Sequence, residues 1–153
     1  MNRIDPSPPL VVYEDDFALW CAQQGALLRA GRTSSLDREN LAEEIESLGR
    51  SQEDEIESRL NVLVMHLLKW CYQPQKCTPS WRATIIEQRM RISKRLKASP
   101  SLRNYPATVL DEEYVTARLR AAGETGLSEV IFPEGCPFTI EEILDPAFFP
   151  EGR

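Results

Sequence analysis

The stretch "SSLDRENLAEEIESLGRSQEDEIESRLNVLVMHLLKWCY", residues 34–72, decides how the chain is to be read. It contains no proline, and Asp37 stands where a helix N-cap belongs. Leu41, Ile45, Leu48, Ile56, Leu60, Leu63 and Leu67 then follow at steps of three, four or twice four, the spacing of one helix face. Gly49 interrupts the pattern in composition only. As a C-terminal cap it would split the stretch, with Ser51 opening a second helix. At about 100° per residue, however, Leu41, Leu48, Gly49, Ile56 and Leu67 keep one face, and Glu39, Glu43, Glu46, Glu53 and Glu57 keep the opposite one. The spacing predicts one long helix, in which Gly49 lets a neighbouring backbone approach.

The second half of this helix has a core stripe made by Ile56, Leu60, Leu63, Val64, Leu67, Trp70 and Cys71, which makes it the expected centre of the fold. His66 falls on the shoulder of the stripe, beside Trp70 and Arg59. Upstream, Asp15 or Asp16 caps a helix to about Ala30, with Phe17, Trp20, Cys21, Leu27 and Leu28 at helical spacing before "GRTSS". Downstream, "QPQKCTP" is a turn, because Pro74 and Pro79 break helices. Ser80 is the expected cap of a basic helix, residues 81–97, and another helix spans about Asp111 to Ala122 before "GETG". In the tail, "TIEE" is a capping box, Thr139 with Glu142 three residues on. No segment alternates as a half-buried strand does. The expectation is an all-α, compact helical bundle of about five helices with a long central helix and a proline-rich C-terminal tail carrying one short helix. Residues 1–12 read as an extended arm and 13–153 as a single helical domain.

Composition narrows the function classes. With 42% apolar and 27% charged residues in 153, the chain belongs with ordinary globular proteins and not with disordered ones. The run "LNVLVMHLLKW" is too short to cross a bilayer, and the N-terminus lacks a signal-peptide core, so a cytoplasmic location and no membrane partner are expected. Four cysteines without CxxC spacing read as free thiols in a reducing compartment. The net charge of −6 hides a segregation: residues 37–57 hold nine acids and two bases, whereas residues 76–103 hold eight bases and one acid.

"HLLKWCYQPQKCTPSWRATIIEQR", residues 66–89, gathers the only histidine and two tryptophans. A di-iron bundle would need Glu-x-x-His, and position 63 is leucine. His66, Cys71, Cys77 and Cys136 are admissible zinc ligands but lack the short paired spacings of structural zinc sites. Neither GxSxG nor a phosphate-binding glycine loop is present. No metal and no cofactor are therefore expected. On the basic helix Trp81, Ile85, Ile92 and Leu96 form the inward stripe. Arg82 and Arg89 lie on one shoulder, where they meet a neighbouring helix's carboxylates, and Gln88 and Arg95 lie on the other. Arg91, Lys94 and Lys97 face outward, as a surface for a partner or a phosphate backbone.

"YEDDFALW", "ENLAEEIESLGRS", "RLNVLVMHLLKW", "YQP", "SWRATIIEQR", "SPSL" and "FPEGCPFTIEEILD" occur in this order. With them the chain resembles, from about Tyr13 to Glu151, a bacterial family known as a domain of unknown function, the twenty-ninth so numbered. The resemblance implies a small, all-helical, single-domain protein and brings no activity, cofactor or catalytic residue with it. Within the matching motifs, His66, Trp70, Trp81, Arg82, Glu87, Gln88 and Arg89 are the polar and aromatic positions to test as a ligand- or partner-binding corner. Cys21, Cys71 and Cys77 fall where the family pattern does not call for cysteine. The expected function is a non-enzymatic protein-interaction or adaptor module, with an unknown protein or a second copy as partner. The alternatives are nucleic-acid binding through the basic helix 81–97 and a metal-dependent enzyme using His66.

Overall fold

All regular structure among the described residues, 9–153, of the computed structural model is helical. The helices are α1 (Phe17–Arg29), α2 (Arg38–Tyr72), α3 (Pro79–Ala98), α4 (Tyr105–Thr125) and α5 (Ile140–Leu144), joined by short 3₁₀ turns. The first eight residues of the expected arm lie outside the described residues. Contacts divide the chain into two units, Met1–Gly49 and Arg50–Arg153.

The long helix is unbroken through Gly49. A Cβ at Gly49 would meet nothing within 4 Å, so among the described residues no neighbouring backbone approaches there; the glycine is simply tolerated by a helix long enough to carry its cost. Asp37 caps the helix as expected, accepting from the Asn40 N–H at 3.4 Å and the Asn40 amide at 2.8 Å.

Within the first unit, Asp16 caps α1 by accepting from the Leu19 N–H at 3.0 Å. Gly31, at φ +68°, ends it in the left-handed conformation that glycine adopts without penalty. Trp20 is buried, and its indole N–H donates to Asp37 at 3.1 Å. Gln24 accepts from the Asp37 N–H at 2.8 Å, and the Tyr13 hydroxyl donates to Glu44. The buried side of α1 is Trp20, Gln24 and Leu27, which corrects the expected face: Phe17, Cys21 and Leu28 are exposed. Ile45 and Leu48 are likewise 64% and 67% exposed. Helical spacing establishes a face, but cover for that face has to come from elsewhere in the chain.

Within the second unit, Leu60, Leu63, Val64, Leu67 and Cys71 of α2 enter the main core with Ile85 and Ile92 of α3. Trp70 packs on its edge, only partly buried. Thr78, not Ser80, caps α3: its side chain accepts from the Trp81 N–H at 3.2 Å, and Pro79 occupies the first turn, where a missing N–H costs nothing. For the same reason α4 starts six residues before the expected Asp111, with Pro106 inside its first turn. Its buried side, Leu110, Tyr114, Ala117 and Ala121, uses small residues, so hydrophobic spacing alone understates it. The capping box of Thr139 and Glu142 is present. The tail is also core: Phe132, Phe138 and Ile143 are buried. Its end returns to α2, where the Arg153 N–H donates to the Cys71 carbonyl at 2.7 Å and the Cys71 thiol donates to the Glu151 carbonyl at 3.3 Å.

Candidate functional site

The seven residues of the expected corner sort into separate places. Phe149, from the tail, gathers three of them. Its ring centroid lies 5.0 Å from that of Trp70, and the guanidinium carbons of Arg82 and Arg89 lie 5.6 and 5.4 Å from it. Trp81 sits under the Lys69 ammonium, 4.5 Å from nitrogen to ring centroid. His66 Nδ1 is 2.9 Å from the Val62 carbonyl, and the charges that act on it are Lys69, Glu124 and Arg120; burial is the main reason its pKa lies below the ordinary 6.5. Gln88 accepts from Arg59 at 3.2 Å, and Glu87 accepts from Arg91 at 3.0 Å.

Arg89 corrects the expectation most sharply. It is 4% exposed and donates to backbone carbonyls, not to a carboxylate: Nε to Ile143 at 2.7 Å and Nη2 to Glu142 at 3.4 Å. The Glu142 carbonyl also accepts from the Asp145 N–H at 3.2 Å, so the Ile143 carbonyl is the one that depends on Arg89, and a guanidinium suits both that acceptor and the negative end of the peptide dipoles. Burial lowers its pKa. Arg95, from the other shoulder, makes the ion pair between helices, with Glu55, and also donates to Gln52 at 3.1 Å. The acidic and basic segments therefore pair within one chain at Glu55. The Arg59 and Arg95 guanidiniums together hold the Glu55 carboxyl below its usual range against burial.

A polar seam runs along α2 against α4, and the hydrophobic reading missed it. Glu57, Asn61, Lys69 and Gln73 fall on a repeat of four residues, with buried Met65 filling the remaining position. The Tyr105 hydroxyl donates to Glu57, and this carboxylate raises the tyrosine pKa, so Glu57 is not part of a purely solvated face. Asn61 donates to Glu113 at 2.9 Å and Thr116 at 2.6 Å, and accepts from Arg120 at 2.6 Å. Lys69, 6% exposed, pairs with Glu124 at 2.6 Å. Gln73 donates to the Thr125 carbonyl at 3.3 Å. Every buried polar group in this seam has a partner, which is the condition for burying it.

The outer side of α3 is built differently. Three concavities of about 580, 600 and 430 Å³ overlap along it. The first two share Ile86, Met90 and Lys94; the last two share Arg89, Ser93, Lys97 and Leu144. The groove so formed has an apolar floor, with Met90 67% exposed, and a basic rim. Lys94, Lys97 and Arg103 make no ion pair among the described residues, and Arg91 makes only the exposed pair with Glu87. Arg82, Glu87, Arg91 and Lys94 all line its first part.

Among the described residues no three His, Cys, Asp or Glu side chains are grouped to hold a metal. All four cysteines are free thiols. Burial pushes the pKa of Cys71, Cys77 and Cys136 above the ordinary 9.0, away from the thiolate that nucleophilic attack requires. No helix of the described residues is long and apolar enough to cross a membrane.

A family model described as Domain of unknown function DUF29 matches residues 12–149. No curated protein and no solved structure matches the chain.

Proposed function

The chain belongs to the family described as Domain of unknown function DUF29, and we propose that it is a cytoplasmic bacterial protein-interaction module whose α3 groove docks an acidic, amphipathic segment of a partner protein. The observation that carries this reading is the pairing of an apolar floor, the half-buried Ile86 and the exposed Met90, with rim cations Lys94 and Lys97 that make no ion pair among the described residues. An amphipathic helix with acidic flanks satisfies both at once. Free cysteines support a reducing compartment. A polyanion fits less well, because the net charge is −6 and Glu87 sits among the cations.

The test is a titration of the chain with a panel of synthetic acidic amphipathic helical peptides, read by fluorescence anisotropy beside charge-inverted controls. At least one acidic peptide is expected to bind saturably, weaken with salt and lose about tenfold in affinity when Lys94→Glu is introduced. Binding of none, or binding indifferent to Lys94→Glu, refutes the reading. Retention of DNA or RNA with a steep salt slope would replace the protein partner by a nucleic acid. A stoichiometric metal lost on replacing His66 would restore the enzyme alternative.

A further inference from the structure

The inner end of the groove, between α3 and the end of α5, has a lining unlike the rest. Arg89, Ser93, Lys97 and Arg103 supply all its polar side chains, and no carboxylate lines it. Arg89, Ser93 and Lys97 are four residues apart and share one face of α3; Arg103 follows the 3₁₀ turn Pro100–Leu102. Ile92, Leu96 and Leu144 form the apolar wall.

Arg89 gives the second, independent observation. Its Nε and Nη2 serve backbone carbonyls, and Nη1 is buried with no hydrogen-bond partner. The Phe149 face attracts the cation but offers no lone pair to an in-plane N–H. Three cations and a hydroxyl thus line one cleft that has no carboxylate in its own lining; Asp145 acts on Arg89 through its charge only, and the buried Arg89 keeps unused hydrogen-bonding capacity. The donors outnumber what the two oxygens of a carboxylate absorb, whereas a phosphate offers three acceptor oxygens and two charges.

We propose that this cleft is a binding site for a small organic phosphate monoester, its phosphate held by Arg89, Ser93, Lys97 and Arg103 and its apolar body resting on Ile92, Leu96 and Leu144. The inference stands on the cleft and does not depend on the docking reading, since Arg103 lines the cleft and not the remainder of the groove.

The test uses the full chain and phenyl phosphate as the probe, titrated calorimetrically at low salt, with inorganic phosphate and benzoate as comparison probes. Phenyl phosphate is expected to bind saturably at one site, and each comparison probe is expected to bind several-fold more weakly. Arg103→Glu and Lys97→Glu are exposed changes that leave the melting temperature in place; each should weaken phenyl phosphate at least tenfold, and Arg103→Glu should leave acidic-peptide binding intact. Absence of saturable binding overturns the proposal. So does binding that survives both charge reversals, and so does inorganic phosphate binding as tightly as phenyl phosphate, which marks only general attraction to a basic surface.

Discussion

Asn61 and Lys69, on the α2–α4 side of the Arg50–Arg153 unit, are each 6% exposed, and every polar atom of their side chains has a partner. Lys94 and Lys97, on the outer side of α3, are exposed beside an uncovered methionine and make no ion pair among the described residues. The amino acids are of the same kinds; the difference is whether a complementary residue arrives from the neighbouring helix. Where it does, polarity fixes the register of α2 against α4 at four-residue steps. Where it does not, the helix keeps apolar and cationic groups uncovered among the described residues, and that is the surface to which the proposed partner is assigned.

The largest expected effect falls on the residue that belongs to both kinds of environment. Arg89→Ala strands the Ile143 carbonyl and removes packing under α5, and is expected to cost about 3 kcal/mol, or roughly 10 °C in melting temperature. An unchanged melting curve would place Arg89 with the open surface. Next, Asn61→Ala removes the hub joining Glu113, Thr116 and Arg120 and is expected to cost about 2 kcal/mol in urea unfolding. Lys94→Glu should stay within about 0.5 kcal/mol; equal costs for the two would erase the distinction. Third, Met90→Asp, at an exposed position, should leave stability within about 0.5 kcal/mol while weakening acidic-peptide binding about tenfold in the same anisotropy titration.

The smallest effect concerns pH and is followed at His66 and at Glu124 of the seam. Burial puts the folded pKa of His66 below 6.5, so on acidification the unfolded chain takes the proton first. The stability associated with neutral His66 is complete above about pH 6.5 and declines as pH falls through the folded value. Lys69 holds the Glu124 carboxyl below 4.5, so its contribution is present above about pH 4.5 and is lost as pH falls through its folded value. Both make acid destabilising, His66 first. Urea unfolding at pH 7.5 and 5.5 should show a drop in stability that His66→Gln reduces; a drop of undiminished size would assign it to other groups.

Much of the fold was legible because apolar spacing reports faithfully on a helix that carries a core. The Leu60 to Cys71 stripe, the capping boundary at Asp37 and the box at Thr139 all follow from local chemistry. The start of α3 is hidden because Pro79 reads as a breaker although in a first turn it costs no hydrogen bond, and the start of α4 lies earlier than apolar spacing suggests, with Pro106 in its first turn. The tail's part in the core was missed because four prolines disguised four phenylalanines, Phe132, Phe138, Phe148 and Phe149, that pack regardless of helical period. For the site, the outward Arg91, Lys94 and Lys97 were visible as a helix face. The carbonyl clamp of Arg89 and the Asn61 hub depend on partners more than fifty residues away, and no local pattern encodes them.

Backbone amide shift mapping of the full chain with a saturating acidic amphipathic helical peptide tests the contrast between the two sides most directly. Changes are expected to concentrate at Ile86, Met90, Ser93, Lys94 and Lys97, with Asn61, Lys69, Arg120 and Glu124 unmoved. Changes centred on the seam residues, or none at all, would rule out docking on the outer side of α3.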